Sequence, residues 1–351
     1  NMVIDFFDKC GIPLYNDGSY YYPLSNQAKQ VTSKLLDLCV GSGIEIMTDK
    51  RVLDILPADN SKDKSAEYFV NTGNSSYRGK NVIIAAGSSA SEKLGGSSDG
   101  YELAQKIGLS CTQLYPGLTP VYINDKYLSI AKGVRLNGRV TIHIDDFVKK
   151  ESGQIQINED NLSGIAIMNL SCYLPLFDQA LCQNALWIDT LPSYTWEELK
   201  EYIKLQCIMH SSETVRMMLE GFFPLAFVRY FLKRISLDED ITIDKLTDKQ
   251  LNRLTSNIKK LTFTPVLKDD YSKAQVTLGG VSTSEVNPKT FECNRFPGLY
   301  VIGELLDMTG KCGGYNISFA VLSVSIKSTT VVRPLSSEAL VITPRGLLSR
   351  K

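Results

Sequence analysis

Two carboxylates, Glu304 and Asp307, lie inside a glycine-dense stretch of the chain, GLYVIGELLDMTGKCGGYN (298–316). This stretch opens with an apolar run typical of a buried strand, and four glycines follow between Gly303 and Asn316. A glycine-rich loop between a strand and a helix start leaves backbone N–H groups and the positive end of the helix dipole available to an anion. The pattern predicts an anion- or cofactor-binding loop, with an ordinary strand-to-helix turn as the alternative.

Other site chemistry has less support in the residues. The two histidines, His143 and His210, belong to unrelated patterns without metal-ligand spacing, so neither a zinc site nor a Ser-His-Asp triad is indicated. Ser88 and Ser89 follow an apolar strand like a nucleophile elbow, but a GxSxG motif and a histidine partner are missing. We therefore predict no metal site and name no catalytic residue.

Composition limits the class of protein. With 351 residues, 43% apolar and 22% charged, the chain is long enough for two or three globular domains. The 38 basic and 38 acidic residues give no net charge, which argues against a nucleic-acid substrate at the level of composition. Eight scattered cysteines without a CxxC pair, no visible signal peptide and no membrane-length apolar run predict a cytoplasmic protein with reduced thiols.

The pattern of apolar and polar residues changes along the chain. Both ends, 1–113 and 292–351, mix helix-like periodicity with buried-strand runs. The stretches 114–190 and 262–291 consist of short alternating strands and turns, which predicts an antiparallel sheet or barrel. Between them, 191–261 is helical in pattern. The order predicts an α/β domain formed by both chain ends, with a β-rich and a helical insertion.

Five segments together resemble one known family. The chain is similar to the BaiN/RdsA-like bacterial flavoproteins, which are YhiN-type NAD(P)/FAD-dependent oxidoreductases that include aminoacetone-oxidase-like members. The likeness runs from residue 2 to about residue 326 and is most specific where AQVTLGGV is followed by GELLD and GGYN. The segments are FFDKCGIPLYNDGSYYYPLSNQA near the start, KNVIIAAGSSASEKLGGSSDGYELAQKIG (80–108), LYPGLTPVYI (114–123), GQIQINEDNLSGIAIMNLS (153–171) and the stretch 274–316.

The resemblance implies a set of cofactor-binding residues. Gly87 ends the VIIAAG strand, where the family's chain passes close to the dinucleotide. The carboxylates would accept hydrogen bonds from ribityl or ribose hydroxyls, and the last four residues would place backbone amides near a phosphate or the flavin pyrimidine carbonyl. The set is Gly87, Gly303, Glu304, Asp307, Gly313, Gly314, Tyr315 and Asn316.

Two further glycines are implied on the substrate side. Gly279 and Gly280 in AQVTLGGV would let the inserted β domain approach the flavin closely. Ala86 stands where the family's strand has threonine, which is a mild departure. The fold implied is an incomplete Rossmann-like FAD-binding domain (1–113 and 292–351) carrying a β-barrel-like insertion (114–190 and 262–291) and a helical insertion (191–261).

This sequence lacks the family's opening GxGxxG unit and its second glycine-rich stretch, which hold the ADP half of FAD. Without that unit, two inner strand edges of the sheet would be unpaired. Three explanations are open: a missing N-terminal segment, a second chain or strand exchange that completes the sheet, or a surrogate strand from the tail Thr329–Lys351. That tail has two strand-like stretches, TTVVRPL and ALVITPRG, and an exposed basic tail is the alternative.

The resemblance implies a flavoprotein oxidoreductase that uses FAD, with NAD(P)H as a second nucleotide. Its substrate is unresolved. Members of the family act on a small molecule or on ribosomal RNA, and the residues of this sequence do not distinguish between these two substrate classes. Because the phosphate-cradling half is missing, we predict weak FAD binding or none. The alternative function is a non-catalytic remnant or binding module that keeps the fold without FAD.

Overall fold

The computed structural model describes residues 2–18, 20–58, 67–330, 339–344 and 346–350. Within this part of the chain, the helices are α1 (Met2–Lys9), α2 (Ala28–Gly41), α3 (Asp99–Ile107), α4 (Ile165–Ser171), α5 (Trp196–Met209), α6 (Val215–Glu220), α7 (Leu225–Arg234), α8 (Asp248–Lys259) and α9 (Tyr315–Thr330). The first strands are β1 (Leu14–Asn16), β2 (Tyr21–Pro23), β3 (Ile44–Thr48), β4 (Asp54–Pro57), β5 (Tyr68–Thr72), β6 (Ser75–Gly79), β7 (Asn81–Ile84), β8 (Tyr115–Gly117), β9 (Val121–Ile123) and β10 (Arg135–Ile144). The remaining strands are β11 (Phe147–Ile157), β12 (Asn161–Ser163), β13 (Leu186–Asp189), β14 (Leu261–Phe263), β15 (Pro265–Val266), β16 (Val276–Leu278), β17 (Glu292–Cys293), β18 (Phe296–Val301), β19 (Ala339–Thr343) and β20 (Gly346–Arg350).

The chain forms two compact units. Unit 1 combines Asn1–Pro116 with Tyr271–Lys351, and unit 2 is the intervening segment Gly117–Asp270. Both chain ends therefore belong to one unit. The segment 271–291, which the sequence assigns to the β-rich insertion, is part of unit 1.

A six-stranded sheet of order β17-β18-β7-β19-β20-β3 is the framework of unit 1. Its middle strands β18, β7 and β19 are parallel, whereas β20 is antiparallel to both β19 and β3. Apolar β-branched residues predominate where the strands are covered, and Val82, Ile84, Val301 and Ile342 are all buried in one core cluster. The carboxyl ends of three parallel strands consequently meet at one edge of the sheet.

The C-terminal tail supplies two strands of this sheet. Leu340 and Val341 of β19 pair with Val82 and Ile83 of β7, and a tight turn at Pro344 reverses the chain into β20. The expectation of an exposed tail is therefore wrong for 339–343 and 346–348. Pairing of this segment satisfies backbone groups that β7 would otherwise leave open. The faint strand-glycine-helix pattern of VITPRGLLSRK is also wrong: the second half is an antiparallel strand. Most of the other strand-like stretch, TTVVRPL (329–335), lies outside the described residues, and its first two residues end α9.

Unit 2 is built on a seven-stranded antiparallel sheet of order β14-β13-β10-β11-β12-β9-β15. Even-numbered residues of β10, such as Val140 and Ile142, are buried in the same core as Leu199 of α5 and Phe227 of α7. The helices thus pack on the sheet through one shared core. The strands at the two ends of the order, β14 and β15, are separated in sequence by Thr264 alone. The barrel-like and separate helical domains and their boundaries stay predictions.

Local sequence explains where the helices of unit 2 begin. Thr195 accepts a hydrogen bond from the Glu198 N–H, and the Glu198 carboxylate accepts one from the Thr195 N–H. Thr247 and Gln250 form the same reciprocal pair at the start of α8. Each pair satisfies N–H groups that a helix start leaves without intrahelical partners.

Because β19 and β20 form a hairpin within the sheet, we expect substitution of two adjacent leucines of β20 to lower the stability unequally. Leu347 is fully buried in the unit 1 core, whereas Leu348 is only half-buried. We expect Leu347→Ala to lower the free energy of unfolding by about 3 kcal/mol, and Leu348→Ala by about 1 kcal/mol. Urea denaturation of the two variants measures the difference. Equal, small losses would contradict the place of the tail in the sheet.

Candidate functional site

The glycine-dense loop lies where the sequence predicts it, between a central strand and a helix. After β18 the chain makes a short 3-10 turn at Gly303–Leu305, and α9 begins at Tyr315. Gly303 has a φ of +66°, and its N–H donates to the Ser323 hydroxyl at 3.1 Å. This hydrogen bond joins the end of β18 to α9.

Glu304 connects three segments of unit 1 from within. Its Oε1 accepts hydrogen bonds from the Ser88 hydroxyl at 2.8 Å and from the Thr277 N–H at 3.1 Å. Burial raises the pKa of Glu304, although both hydrogen bonds favour its charged form. The carboxylate therefore braces the loop after β7 and strand β16 against the 3-10 turn.

Asp307 belongs to a second internal network. Its Oδ2 accepts from the Thr112 hydroxyl at 2.9 Å, and that hydroxyl oxygen accepts from the Gly280 N–H at 3.0 Å. The Asp307 N–H donates to the Val281 carbonyl at 2.9 Å. The network joins the predicted acidic position to the predicted glycine pair.

Gly279 and Gly280 are required by this packing. They have φ values of +80° and +143°, where side chains are strained. A Cβ on Gly279 would lie 2.0 Å from the Gln113 carbonyl oxygen, and one on Gly280 would lie 2.6 Å from the Leu305 carbonyl oxygen. Close approach of the chain to itself thus accounts for both glycines, and their expected position facing a flavin stays a prediction.

The start of α9 is open. Gly313 and Gly314 have φ values of +119° and +86°, and nothing lies within 4 Å of a Cβ built on Gly314. The Ser318 N–H donates to the Gly314 carbonyl at 2.9 Å, so the N–H groups before it have no earlier turn of helix to bond. These groups and the helix dipole favour an anion or a carbonyl oxygen.

Asn316 fixes the shape of the loop in front of that helix start. Its Oδ1 accepts from the Gly310 N–H at 2.7 Å, and its Nδ2 donates to the Gly310 carbonyl at 3.1 Å. Both ends of the amide are therefore committed within the loop. Tyr315 is 62% exposed.

Gly87 lies at the same edge of the sheet as the loop. It has a φ of +68°, and a Cβ built on it would lie 3.7 Å from Pro344 Cγ in the turn between β19 and β20. The hairpin turn of the tail is therefore next to the glycine that is expected to approach a dinucleotide. Gly346 is in turn held tightly, because a Cβ there would lie 2.1 Å from the Met47 carbonyl oxygen.

The helix that follows β7 has no anion site at its start. Asp99 and Glu102 occupy the first turn of α3, and the Ser98 hydroxyl donates to Glu102 at 2.8 Å. Arg51 donates two hydrogen bonds to Asp99, at 2.8 and 2.7 Å, and this contact lowers the pKa of Asp99. The chain's own carboxylates thus already complement the dipole of α3, so a phosphate there would meet like charge.

These observations test the fit of a flavin dinucleotide. The start of α9 fits one acceptor or anionic group, because its amides and Gly314 are open. The two other carboxyl ends do not offer a second cradle: β7 leads to an acid-capped helix, and β19 leads to a tight hairpin. The described residues therefore fit the flavin half of the cofactor and do not fit its ADP half.

Sequence reasoning did not predict all the residues that form this region. It did not assign Thr112 or Thr277, whose polar types alone carried no signal. Ser88 was considered as a nucleophile, but its hydroxyl serves as a donor to Glu304. Tyr20, which packs on Gly313, belongs to the aromatic turn YNDGSYYYP that could have been associated with the loop.

The parallel strands and the glycine loop at the carboxyl edge define an α/β protein of the Rossmann type. A family model described as the HI0933-like protein Rossmann domain matches residues 1–329. The chain belongs to this family, which confirms the resemblance seen in the sequence.

Characterised relatives are similar over most of the chain. A 3-dehydro-bile acid delta(4,6)-reductase from Clostridium scindens is 27% identical over 319 residues, which is 91% of this chain and 76% of the relative. The ribosomal RNA dihydrouridine synthase from Haemophilus influenzae is 27% identical and matches 84% of this chain and 70% of its own length. The Escherichia coli protein of the same name is 26% identical, with shares of 90% and 75%.

The brace made by Glu304 predicts a contrast between two substitutions. Glu304→Gln keeps an acceptor for Ser88 and Thr277 and is expected to fold with little loss. Glu304→Leu leaves a hydroxyl and an N–H without an acceptor, which lowers the free energy of unfolding by about 2 kcal/mol. Chemical denaturation of both variants measures this, and equal stability of the two would contradict the brace.

The raised pKa of Glu304 also predicts a pH dependence. The stability from this group is complete below the pKa of the unfolded chain and is lost as the pH rises through the higher folded pKa. The unfolding free energy of the wild type, relative to that of Glu304→Gln, should therefore fall as the pH rises from about 4, the ordinary pKa of a glutamate, through the raised pKa of the folded state. A difference that does not change with pH would show that the carboxyl group is not buried as described.

Proposed function

We propose that this chain is a flavin-dependent oxidoreductase of the HI0933-like family, with its redox site at the start of α9. The observation that carries the proposal is the helix start that is open at Gly314, at the carboxyl edge of a Rossmann-type sheet. The reductase named among the relatives supports an oxidoreductase class.

A bound flavin would supply the hydride chemistry. The chain contributes the amides that begin α9, which stabilise negative charge on a neighbouring carbonyl or ring nitrogen. Asn316 holds the loop in the shape that exposes these amides, through its two hydrogen bonds to Gly310. Glu304 holds the loop to Ser88, after β7, and to Thr277 in β16, whereas Asp307 holds it to Thr112. We assign both carboxylates a positioning role.

The non-catalytic alternative depends on the state of the groove at Gly313–Asn316. An open, polar groove is expected for the enzyme, and a groove filled by side chains is expected for a remnant. The space there is a cavity of about 590 Å³, so it is open, but its lining is mostly apolar. Openness favours the flavoprotein, and the described residues offer no cradle for the ADP half, which lowers the expected affinity.

Flavin content of the purified protein tests the proposal. We expect far less than one flavin per chain after purification, because one end of the cofactor has no cradle. Added flavin should then bind and give a shifted absorption band. A stoichiometric yellow protein would contradict the weak affinity. Failure to bind any flavin at saturating concentration would favour the non-catalytic remnant.

We also propose RNA as a substrate class, which one surface of unit 2 favours. Odd-numbered residues of β10 and their partners on β11 form the uncovered face of the seven-stranded sheet. Arg135, Arg139 and Lys150 are exposed on this face, and within the described residues none of the three is in an ion pair. Charge complementarity with a polyanion supports the proposal, although the whole chain is neutral.

An aromatic group lies beside these cations. The His143 and Trp187 rings are 4.6 Å apart, and Lys260 Nζ lies 3.4 Å from the centre of the Trp187 ring. With Asn184 and Thr262 they line a shallow depression of about 450 Å³. Cations beside aromatic rings on a sheet are typical of surfaces that hold single-stranded RNA. The names of two relatives, ribosomal RNA dihydrouridine synthases, agree with this class.

The RNA surface predicts a charge-dependent binding loss. The triple variant Arg135→Gln, Arg139→Gln, Lys150→Gln should bind a single-stranded oligonucleotide of about 16 nucleotides at least tenfold more weakly. The slope of log affinity against log salt should fall by about 2, because three cations are lost. Fluorescence anisotropy measures both quantities.

The matched control removes three exposed cations from the helices of the same unit, Lys204, Lys249 and Arg253. It should bind like the wild type. If both variants lose affinity for the oligonucleotide equally, the effect depends on net charge and not on this surface. If wild-type protein does not bind the oligonucleotide, the substrate is a small molecule.

A further inference from the structure

Two amide side chains lie among the cations on the uncovered face of the unit 2 sheet. Asn137 of β10 pairs with Gln154 of β11, on the face that carries Arg135 and Arg139. Both amides are exposed, and within the described residues neither side chain has a hydrogen-bond partner. We call Asn137 and Gln154 the amide pair. Its donors and acceptors are available to a ligand that lies on the sheet.

The amide pair lies between two arginines along β10. Residues on one face of a strand follow each other at about 7 Å, so the backbones of Arg135 and Arg139 are about 13 Å apart. Their cross-strand partners on β11, Gln156 and Ser152, are uncharged. A chain of phosphates that contacts both arginines therefore crosses the amide pair on its way from one to the other.

A carboxylate that lies opposite Arg139 is already neutralised within the protein. Asp189 of β13 pairs with Arg139 in the sheet, but its Oδ2 lies 2.8 Å from Lys259 Nζ. Its Oδ1 accepts a hydrogen bond from the Leu191 N–H at 3.1 Å. The guanidinium of Arg139 is thus left to contact a phosphate, for which its fork of donors is suited.

Cations and amides contribute differently to a nucleic-acid interface. Contacts to phosphates supply affinity and position, whereas contacts to base edges supply sequence selectivity. An amide group has one carbonyl acceptor beside an NH₂ donor. Adenine offers the complementary pair, the N6 amino donor beside a ring-nitrogen acceptor, and asparagine and glutamine are its usual partners.

Single-stranded RNA makes these base edges accessible. Its bases are not paired, so both the Watson–Crick and the Hoogsteen edge are free to bind a protein. Adenine has a donor beside an acceptor on both edges, whereas uracil and cytosine have this arrangement on one edge only. An amide therefore has more ways to form two hydrogen bonds with adenine than with a pyrimidine.

We propose that the amide pair recognises adenine in single-stranded RNA that lies across the uncovered face of unit 2. This inference rests on RNA as the proposed substrate class. Arg135 and Arg139 contact phosphates on either side, and the amide of Asn137 or Gln154 forms two hydrogen bonds with one edge of the base between them. The face then selects a base as well as a charge.

Two RNAs of equal length and charge test this inference. Both have about 16 nucleotides, within the range that single-strand-binding surfaces cover. One alternates cytidine with adenosine and the other alternates cytidine with uridine, so neither pairs with itself. We expect the full-length wild type to bind the adenosine RNA at least about fivefold more tightly, as measured by fluorescence anisotropy.

The double variant Asn137→Ala, Gln154→Ala should lose this preference. We expect it to bind both RNAs as the wild type binds the uridine RNA. Its slope of log affinity against log salt should equal that of the wild type, because no charge is removed. The exchange variant Asn137→Gln, Gln154→Asn keeps both amides and should keep the preference.

The matched control removes two exposed amides from helices of unit 1, Gln30 of α2 and Gln105 of α3. The variant Gln30→Ala, Gln105→Ala should bind both RNAs like the wild type. All four side chains are exposed, so the variants are expected to fold, and circular dichroism checks this.

The outcomes separate this inference from the proposed function. If the wild type binds the two RNAs equally, the face does not recognise adenine and the inference is wrong, while RNA binding stands. If the double variant keeps the preference, other residues recognise the base and the inference is also wrong. If the wild type binds neither RNA, the proposed RNA substrate class itself is wrong.

Discussion

The parallel pairing of β7 with β19 is the contact on which the rest of unit 1 depends. β7 lies in the interior of the sheet, and its backbone groups need partners on both sides. β18 satisfies one side, and residues 339–342 satisfy the other. Because the partner comes from the C-terminal tail, the last strands of the chain lie between the first ones. The sheet of unit 1 is complete only when strands from both parts of the chain have paired.

The same pairing limits the chemistry at the edge of the sheet. A dinucleotide site of the Rossmann type places a glycine turn and a helix start after a central strand. Here β19 leads to a tight turn at Pro344 and to a second strand, so among the described residues no helix begins at that position. The start of α9, after Gly313 and Gly314, keeps its free amides. At this edge of the sheet, the start of α9 has the geometry of a cofactor-binding helix start, and the turn after β19 does not.

Polar residues of the glycine-rich region serve first to hold the fold. Glu304 accepts from Ser88 and Thr277, and Asp307 accepts from Thr112. Buried carboxylates with such partners fix neighbouring segments in one arrangement, because removal of an acceptor leaves costly unpaired donors. The loop is consequently held by hydrogen bonds on its inner side and is open at Gly314 on its outer side.

The sequence by itself determined the family, the strand-loop-helix order of 298–316 and the α/β character of both ends, because these depend on local pattern and motif. It could not decide between an exposed tail and a surrogate strand at 339–350, since β pairing joins residues far apart in the chain. It also could not assign Gly279 and Gly280 to contacts with Gln113 and Leu305. Only the tertiary structure decided these points, because burial, strand partners and close backbone approach arise from which distant segments meet.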